Sequence, residues 1–184
     1  LALKRVKYIY QKIIKAGLHE TENIKEAEAA KLLENIQRDC NISLINEYSQ
    51  VMRNLKINFQ NVLDAASTKW NFIKLSPGLV GGHCLAVDPY YLSYRAKIAN
   101  YEPKLIIASR KLNDEFYKEI LKRIKKIGHR AKKKNLNVLI MGITYKKNCP
   151  DVRNSQIFKI IKALNKNKNN VSVYEPMIRK NPIN

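Results

Sequence analysis

With 184 residues, 45% of them hydrophobic, the chain has room for one domain or two small ones and can bury a core. No stretch approaches the roughly 18 apolar residues of a membrane span, and residues Leu1 to Lys12 hold no signal-peptide core, which excludes a membrane-spanning helix and points to a cytoplasmic protein. The 35 lysines and arginines against 15 acidic residues leave a net charge of +20, which attracts polyanions without choosing among nucleic acid, anionic membranes and phosphate-bearing small molecules.

From Leu1 to Ala16, Val6, Ile9, Tyr10, Ile13 and Ile14 recur at helical spacing, and Gly17 is placed as a stop, so a helix is expected here. It starts inside a periodic pattern without a cap, which suggests a fragment of a longer protein. Asn23 to Asn58 then carries Leu33, Ile36, Cys40, Leu44, Tyr48, Val51 and Leu55 at spacings of three and four, the mark of one long helix with a possible break at Asn41. A short helix is expected over Asn61 to Trp70.

Next comes Gly78-Leu79-Val80-Gly81-Gly82-His83-Cys84-Leu85-Ala86-Val87-Asp88-Pro89, a glycine loop that carries a cysteine and turns into a helix. Glycines let a backbone approach a ligand closely, and Asp88-Pro89 is a helix-start signal in which the aspartate caps and the proline is preorganised. A helix over Pro89 to Asn100 follows. From Pro103 another long amphipathic pattern places Leu105, Ile106, Ser109, Leu112, Phe116, Ile120, Ile124 and Ile127 on one face, with Gly128 closing it. The cationic run from Lys122 to Lys134 reads as a helix end and solvated linker in preference to a nucleic-acid patch.

Past that run the grammar changes. Val138 to Met141 is a short apolar run, Ile157, Ile160, Ile161 and Leu164 have helical spacing, and Val171 to Tyr174 is a second apolar run, together a β-α-β unit. Ligands of such units sit beyond the carboxyl end of the first strand, here the loop Ile143 to Arg153. No G-x-G-x-x-G occurs in it, and a two-stranded sheet is short of a stable domain, so the sheet is expected to be incomplete.

Cys40, Cys84 and Cys149 are odd in number and far apart, which argues against a disulfide framework or a structural zinc site. Cys40 fits a buried apolar position, and Cys149 fits a small loop residue. Cys84 sits among glycines with His83 beside it and a helix start nearby, a setting that favours thiolate, although a small buried cysteine is the alternative. Lys31 and Asn35, four residues apart on one helix, could point at one oxygen as an oxyanion pair, yet a solvated helix face explains them as simply.

Four stretches in order carry a resemblance: Glu28 to Asn35 (EAAKLLEN), Gly81 to Leu92 (GGHCLAVDPYYL), Gly142 to Ser155 (GITYKKNCPDVRNS) and Val173 to Pro176 (VYEP). Together they resemble the UDP-sugar 6-dehydrogenases of the UDP-glucose/GDP-mannose dehydrogenase family, and the second is similar to the branch acting on UDP-N-acetylhexosamines. The resemblance implies a mostly α protein with a C-terminal α/β part: residues 1–20 ending an NAD-binding domain, a helical dimerisation domain over 21–134, and the start of a Rossmann-like UDP-binding domain over 135–184. It implies oxidation of a sugar C6 alcohol to a carboxylate with NAD, with Cys84 as the nucleophile. Lys31 and Asn35 would stabilise the oxyanion, reversing the reading from the residues alone, and Asp88 would assist hydrolysis while capping its helix. Leu75, Ser76, Pro77, Gly78, Leu79, Val80 and Gly81 would line the sugar nucleotide with Tyr145 and Lys146. Arg153, with Leu85, Ala86 and Val87, would contact NAD. The partners implied are a UDP-sugar and a second copy joined through the long helix, with no membrane, no metal and no nucleic acid. The isolated chain is expected to be inactive, and a catalytically dead dimerising remnant or a basic nucleic-acid-binding protein are the rival readings.

Overall fold

The computed structural model describes residues 2–178, and among these it has six helices and two strands. The chain divides into two compact units, one ending at Leu33 and one starting at Glu34.

In the first unit, α1 spans Ala2–Tyr10 and buries none of its residues. It stops well short of the expected Ala16. Tyr10 already accepts from both Ile13 and Ile14, at 3.1 and 2.8 Å, so the ladder loosens into turns before Gly17, whose φ is +91°. The start of α2, Ile24–Asn54, is fixed by Asn23 and Glu26. Asn23 Oδ1 accepts from the Glu26 N–H at 3.1 Å, and the Glu26 carboxylate accepts from the Glu22 N–H at 3.0 Å and from Asn23 Nδ2 at 2.6 Å. This reciprocal cap satisfies donors that a helix start leaves open.

Within the second unit α2 continues unbroken through Asn41 to Asn54. Its expected apolar face lies mostly outside. Leu44, Tyr48, Val51 and Leu55 are 59%, 42%, 43% and 61% exposed, whereas Asn35, Asp39, Ser43, Asn46 and Ser49 are buried with Ile36, Ile45 and Met52. Asn58 caps α3, Phe59–Ala66, accepting from the Gln60 and Asn61 N–H groups at 2.9 and 3.4 Å, so this helix begins and ends earlier than expected. The long loop 67–87 leads to α4, Asp88–Ile98, and then to α5, Lys104–Arg130. Gly128 does not close α5. It is buried inside the helix, where an added Cβ would come within 3.2 Å of Leu136, so glycine permits the close approach of the following segment. Most of the cationic run therefore lies on the last turns of α5 and not in a linker.

The β-α-β unit is as expected. β1, Asn137–Met141, pairs in parallel with β2, Asn170–Tyr174, from Asn137 opposite Asn170 to Met141 opposite Tyr174, and α6, Ile157–Lys166, makes the crossover. α6 buries Ile160, Ile161 and Leu164, and Ile143 just past β1 is fully buried. The core of this unit thus lies on the helix side of the sheet, while Leu139, Met141 and Tyr174 are exposed.

Candidate active site

The glycine and cysteine loop lies against the loop that follows β1. The Gly82 N–H donates to the Arg153 carbonyl at 3.0 Å, and Asn154 Nδ2 donates back to the Gly82 carbonyl at 3.0 Å. This approach is possible because residues 81 and 82 lack side chains. A Cβ on Gly81 would stand 2.9 Å from the Asn154 carbonyl oxygen, and one on Gly82, whose φ is +87°, would stand 2.8 Å from the Tyr145 ring. The His83 ring meets Tyr145 edge-on, with centroids 6.3 Å apart.

On the other side, Cys84 leads into α4. Its carbonyl accepts from the Val87 and Asp88 N–H groups at 2.9 and 2.8 Å, and its side chain is half-buried. Asp88 is the first helical residue and not the cap expected from the sequence. Val87 holds the cap position without a side-chain bond, and the Asp88 carboxylate instead accepts from Asn35 Nδ2 at 2.6 Å. A carboxylate offered an amide donor from a facing helix is drawn away from its own backbone, which explains the lost cap. Asn35 is 2% exposed, so the solvated-face reading fails for it, while Lys31, one turn earlier on α2, is exposed.

Buried polar side chains that the sequence did not single out hold this loop from behind. Asn46 donates to the Gly78 carbonyl at 3.0 Å and accepts from the Gly78 N–H at 2.8 Å. Asn113 links Asn46, at 2.9 Å, to Asp39, which pairs with Arg110. Burial pushes the Asp39 carboxyl above its usual range, against the pull of Arg110 and Asn113. Gln156, just before α6, donates to the Val80 and Asn113 carbonyls at 2.9 and 3.0 Å. The only sequence signal for the α2 members was a polar row at positions 35, 39, 43, 46 and 49, which at helical spacing usually marks a wetted face.

Of the expected ligand-binding residues, Leu79, Gly81 and Tyr145 line one concavity of about 260 Å³ with Gly142, Thr144 and Ser155, at the carboxyl end of β1. Val80 is buried, Pro77 and Gly78 are half-buried, and Lys146 is exposed on the β1–α6 loop. The Leu85 carbonyl accepts from Arg110 at 3.1 Å. Arg153 is 65% exposed and grips Asp151 within its own loop, Nε at 3.1 and 2.9 Å and Nη2 at 2.6 Å. That grip holds the Asp151 carboxyl down at about 2, and the Tyr145 hydroxyl is pushed up by burial and by its hydrogen bond to Cys149. A larger concavity of about 720 Å³ lies at the amino ends of the strands, lined by lysines of α5 and by Leu136 and Leu164. It holds no member of the cysteine loop, and ligands of parallel sheets sit at the opposite, carboxyl end.

The arrangement provides a thiol, a carboxylate bonded to an amide, and a cleft beside a β-α-β loop. Residues 25–115 match the UDP-glucose/GDP-mannose dehydrogenase family, central domain, and residues 139–184 match the UDP binding domain of the same family. The chain is 45% identical over 175 residues to UDP-N-acetyl-D-glucosamine 6-dehydrogenase from Salmonella typhi, covering 92% of this chain and 40% of that protein. Its fold is similar to that of UDP-D-ManNAc dehydrogenase from Pyrococcus horikoshii, with a TM-score of 0.85 at 28% identity over 98% of this chain and 43% of the other. The UDP-N-acetyl-mannosamine dehydrogenase Cap5O from Staphylococcus aureus gives 0.79 at 31%, over 97% and 42%. The chain spans about two fifths of the length of the curated relatives it matches. It belongs to the UDP-glucose/GDP-mannose dehydrogenase family, carrying residues of its central and UDP-binding domains.

Proposed function

We propose that this chain supplies the reactive thiol and the sugar-nucleotide cleft of an NAD-dependent UDP-N-acetylhexosamine 6-dehydrogenase serving surface polysaccharide synthesis. One observation carries the reading: the loop bearing Cys84 is tied at Gly82 to the β1–α6 loop and, through Asp88, to Asn35. A thiol held between a nucleotide-binding unit and an amide–carboxylate pair suits acyl chemistry at a bound sugar.

Cys84 would attack the C6 aldehyde, forming a C–S bond as the carbonyl oxygen takes up a proton. Lys31 and Asn35 would stabilise the oxyanion; Asp88 takes one of the two Asn35 amide hydrogens and leaves the other for this task. Two NAD molecules bound in turn would supply the acceptor for the hydrides that leave the alcohol and then the thiohemiacetal. Cys84 then holds a thioester. Water, directed by Asp88 as base, adds to its carbonyl, the C–S bond breaks, and the carboxylate leaves with the thiol restored. The sugar carbon loses four electrons without releasing aldehyde.

The cleft walls Leu75 to Gly81, with Tyr145 and Lys146, would hold the UDP-sugar. Arg153 fits a dinucleotide phosphate: it is exposed, and its Nη1 lies outside the pair with Asp151. Leu85, Ala86 and Val87 would face the same ligand. The exposed row Leu44, Tyr48 and Val51 on α2, with Leu55 just past its end, would be covered by a second copy of the chain, since an apolar stripe of this length is unfavourable in water.

The test is turnover by the native protein that carries these residues, with NAD and either UDP-N-acetylglucosamine or UDP-N-acetylmannosamine. Two NADH should form per sugar carboxylate, and Cys84→Ser should abolish the carboxylate. Absence of turnover with both sugars would leave a dimerising remnant as the better reading, and undiminished turnover by Cys84→Ser would remove the thiol from the chemistry.

A further inference from the structure

The carbonyl of Leu85, the residue after Cys84, is held by a guanidinium from the interior. Arg110 is 1% exposed; its Nη1 reaches both Asp39 and the Leu85 carbonyl, the latter at 3.1 Å, and its Nη2 reaches Asp114 at 3.3 Å. Asp39, also 1% exposed, accepts from Asn113 Nδ2 through its carboxylate at 2.8 Å and its backbone carbonyl at 2.9 Å. Asn113 in turn accepts from Asn46, which holds both the N–H and the C=O of Gly78. A continuous polar chain therefore runs from Leu85 through Arg110, Asp39, Asn113 and Asn46 to Gly78. Both ends of the cysteine loop are fastened to one buried cluster.

A core ion pair that served the fold alone is a poor bargain. Desolvating two charges offsets most of their attraction, and well-packed apolar side chains of similar volume are often as stable. Among the described residues, Arg110 Nε and Asp39 Oδ2 are buried with no protein hydrogen-bond partner. What the guanidinium provides, and an apolar side chain could not, is a directed donor at the peptide next to the thiol.

We infer that Arg110 is a positioning residue for Cys84, oriented by Asp39 and Asn113 and acting through the Leu85 carbonyl. The inference rests on the reading of Cys84 as the nucleophile. The flat fork of arginine spans Asp39, Asp114 and Leu85 at once, and a lysine ammonium, a point donor, cannot reproduce that reach. Misplacement of a reacting group by about 1 Å can cost on the order of 100-fold in rate.

The experiment uses the native protein with Arg110→Lys, and with the double change Asp39→Asn and Arg110→Gln, which removes both buried charges together. Steady-state kinetics and hydrogen exchange by mass spectrometry are measured on each. The expected result for both is a fall in kcat of at least about tenfold with the sugar-nucleotide KM held within about threefold. Backbone exchange should quicken in residues 78–88 and stay unchanged along the rest of α2 and α5. Unchanged kcat, or exchange that rises evenly along α2 and α5, overturns the inference. Exchange confined to the loop is read without turnover, so it supports the positioning role even if the proposed substrates fail; failure of the dehydrogenase reading shows separately, in Cys84→Ser.

Discussion

Asn35 on α2 donates its side-chain amide to the Asp88 carboxylate at the first turn of α4, across 2.6 Å and 53 residues of sequence. The bond takes Asp88 away from capping its helix and turns it toward the helix that carries Asn35. Replacing Asp88 by Asn keeps the size and the hydrogen bond while removing the carboxylate proposed as the base. We expect that variant to stall at hydrolysis, so intact-mass spectrometry after incubation with sugar nucleotide and NAD should show a sugar adduct on Cys84. Full turnover with no adduct would count against this role.

Gly82 combines a φ of +87° with a Tyr145 ring that leaves no room for a Cβ. Gly82→Ala should therefore lose about 1–3 kcal/mol of stability and loosen the loop-to-loop contact. Adding Tyr145→Ala clears the steric clash and leaves the backbone strain. Thermal melts should show partial recovery in the double variant, and complete recovery would mean that φ carries no strain there.

Arg153 holds the Asp151 carboxyl at about 2, down from 3.8, chiefly through its side-chain hydrogen bonds and then through its backbone N–H. A carboxylate whose folded pKa is depressed contributes stability that is present above its unfolded pKa and is lost as pH falls through the folded one. The pair's contribution to the loop should thus be full above about pH 4 and be lost between there and about pH 2. In Arg153→Met the Asp151 titration, followed by carboxyl NMR shifts, should move up toward the ordinary range. An unmoved titration would assign the shift to another group.

The apolar row of α2 predicts the oligomeric state. Leu44→Asp with Tyr48→Asp should yield a monomer in sedimentation velocity while the helical circular dichroism is retained, because neither side chain belongs to the buried face. A wild-type protein that sediments as a monomer would remove the proposed interface.

The β-α-β unit was legible because its signals are local: two apolar runs, a helical period between them, and Gly142 to mark the turn. The extent of α2 was legible for the same reason, but its orientation was not. Periodicity reports that Leu44, Tyr48, Val51 and Leu55 share a face; it carries no information on whether the chain itself covers that face. Asp39 and Arg110 lie 71 residues apart, and nothing at either position announces the other. Gly128 follows the same logic: a glycine near a helix end reads as a terminator unless one knows that Leu136 presses on it. Sequence singled out Cys84 and, through the resemblance, Asn35 and Asp88 as candidates. The bond between the last two, and the cluster behind the loop, depend on which helices face each other.

Gln156 grips the Val80 carbonyl of the cysteine loop and the Asn113 carbonyl of α5 with a single amide nitrogen, from a position one residue before α6. It behaves as a rivet through three layers. Any displacement of the β-α-β unit that keeps this amide in place therefore pulls on the cysteine loop and on α5 together.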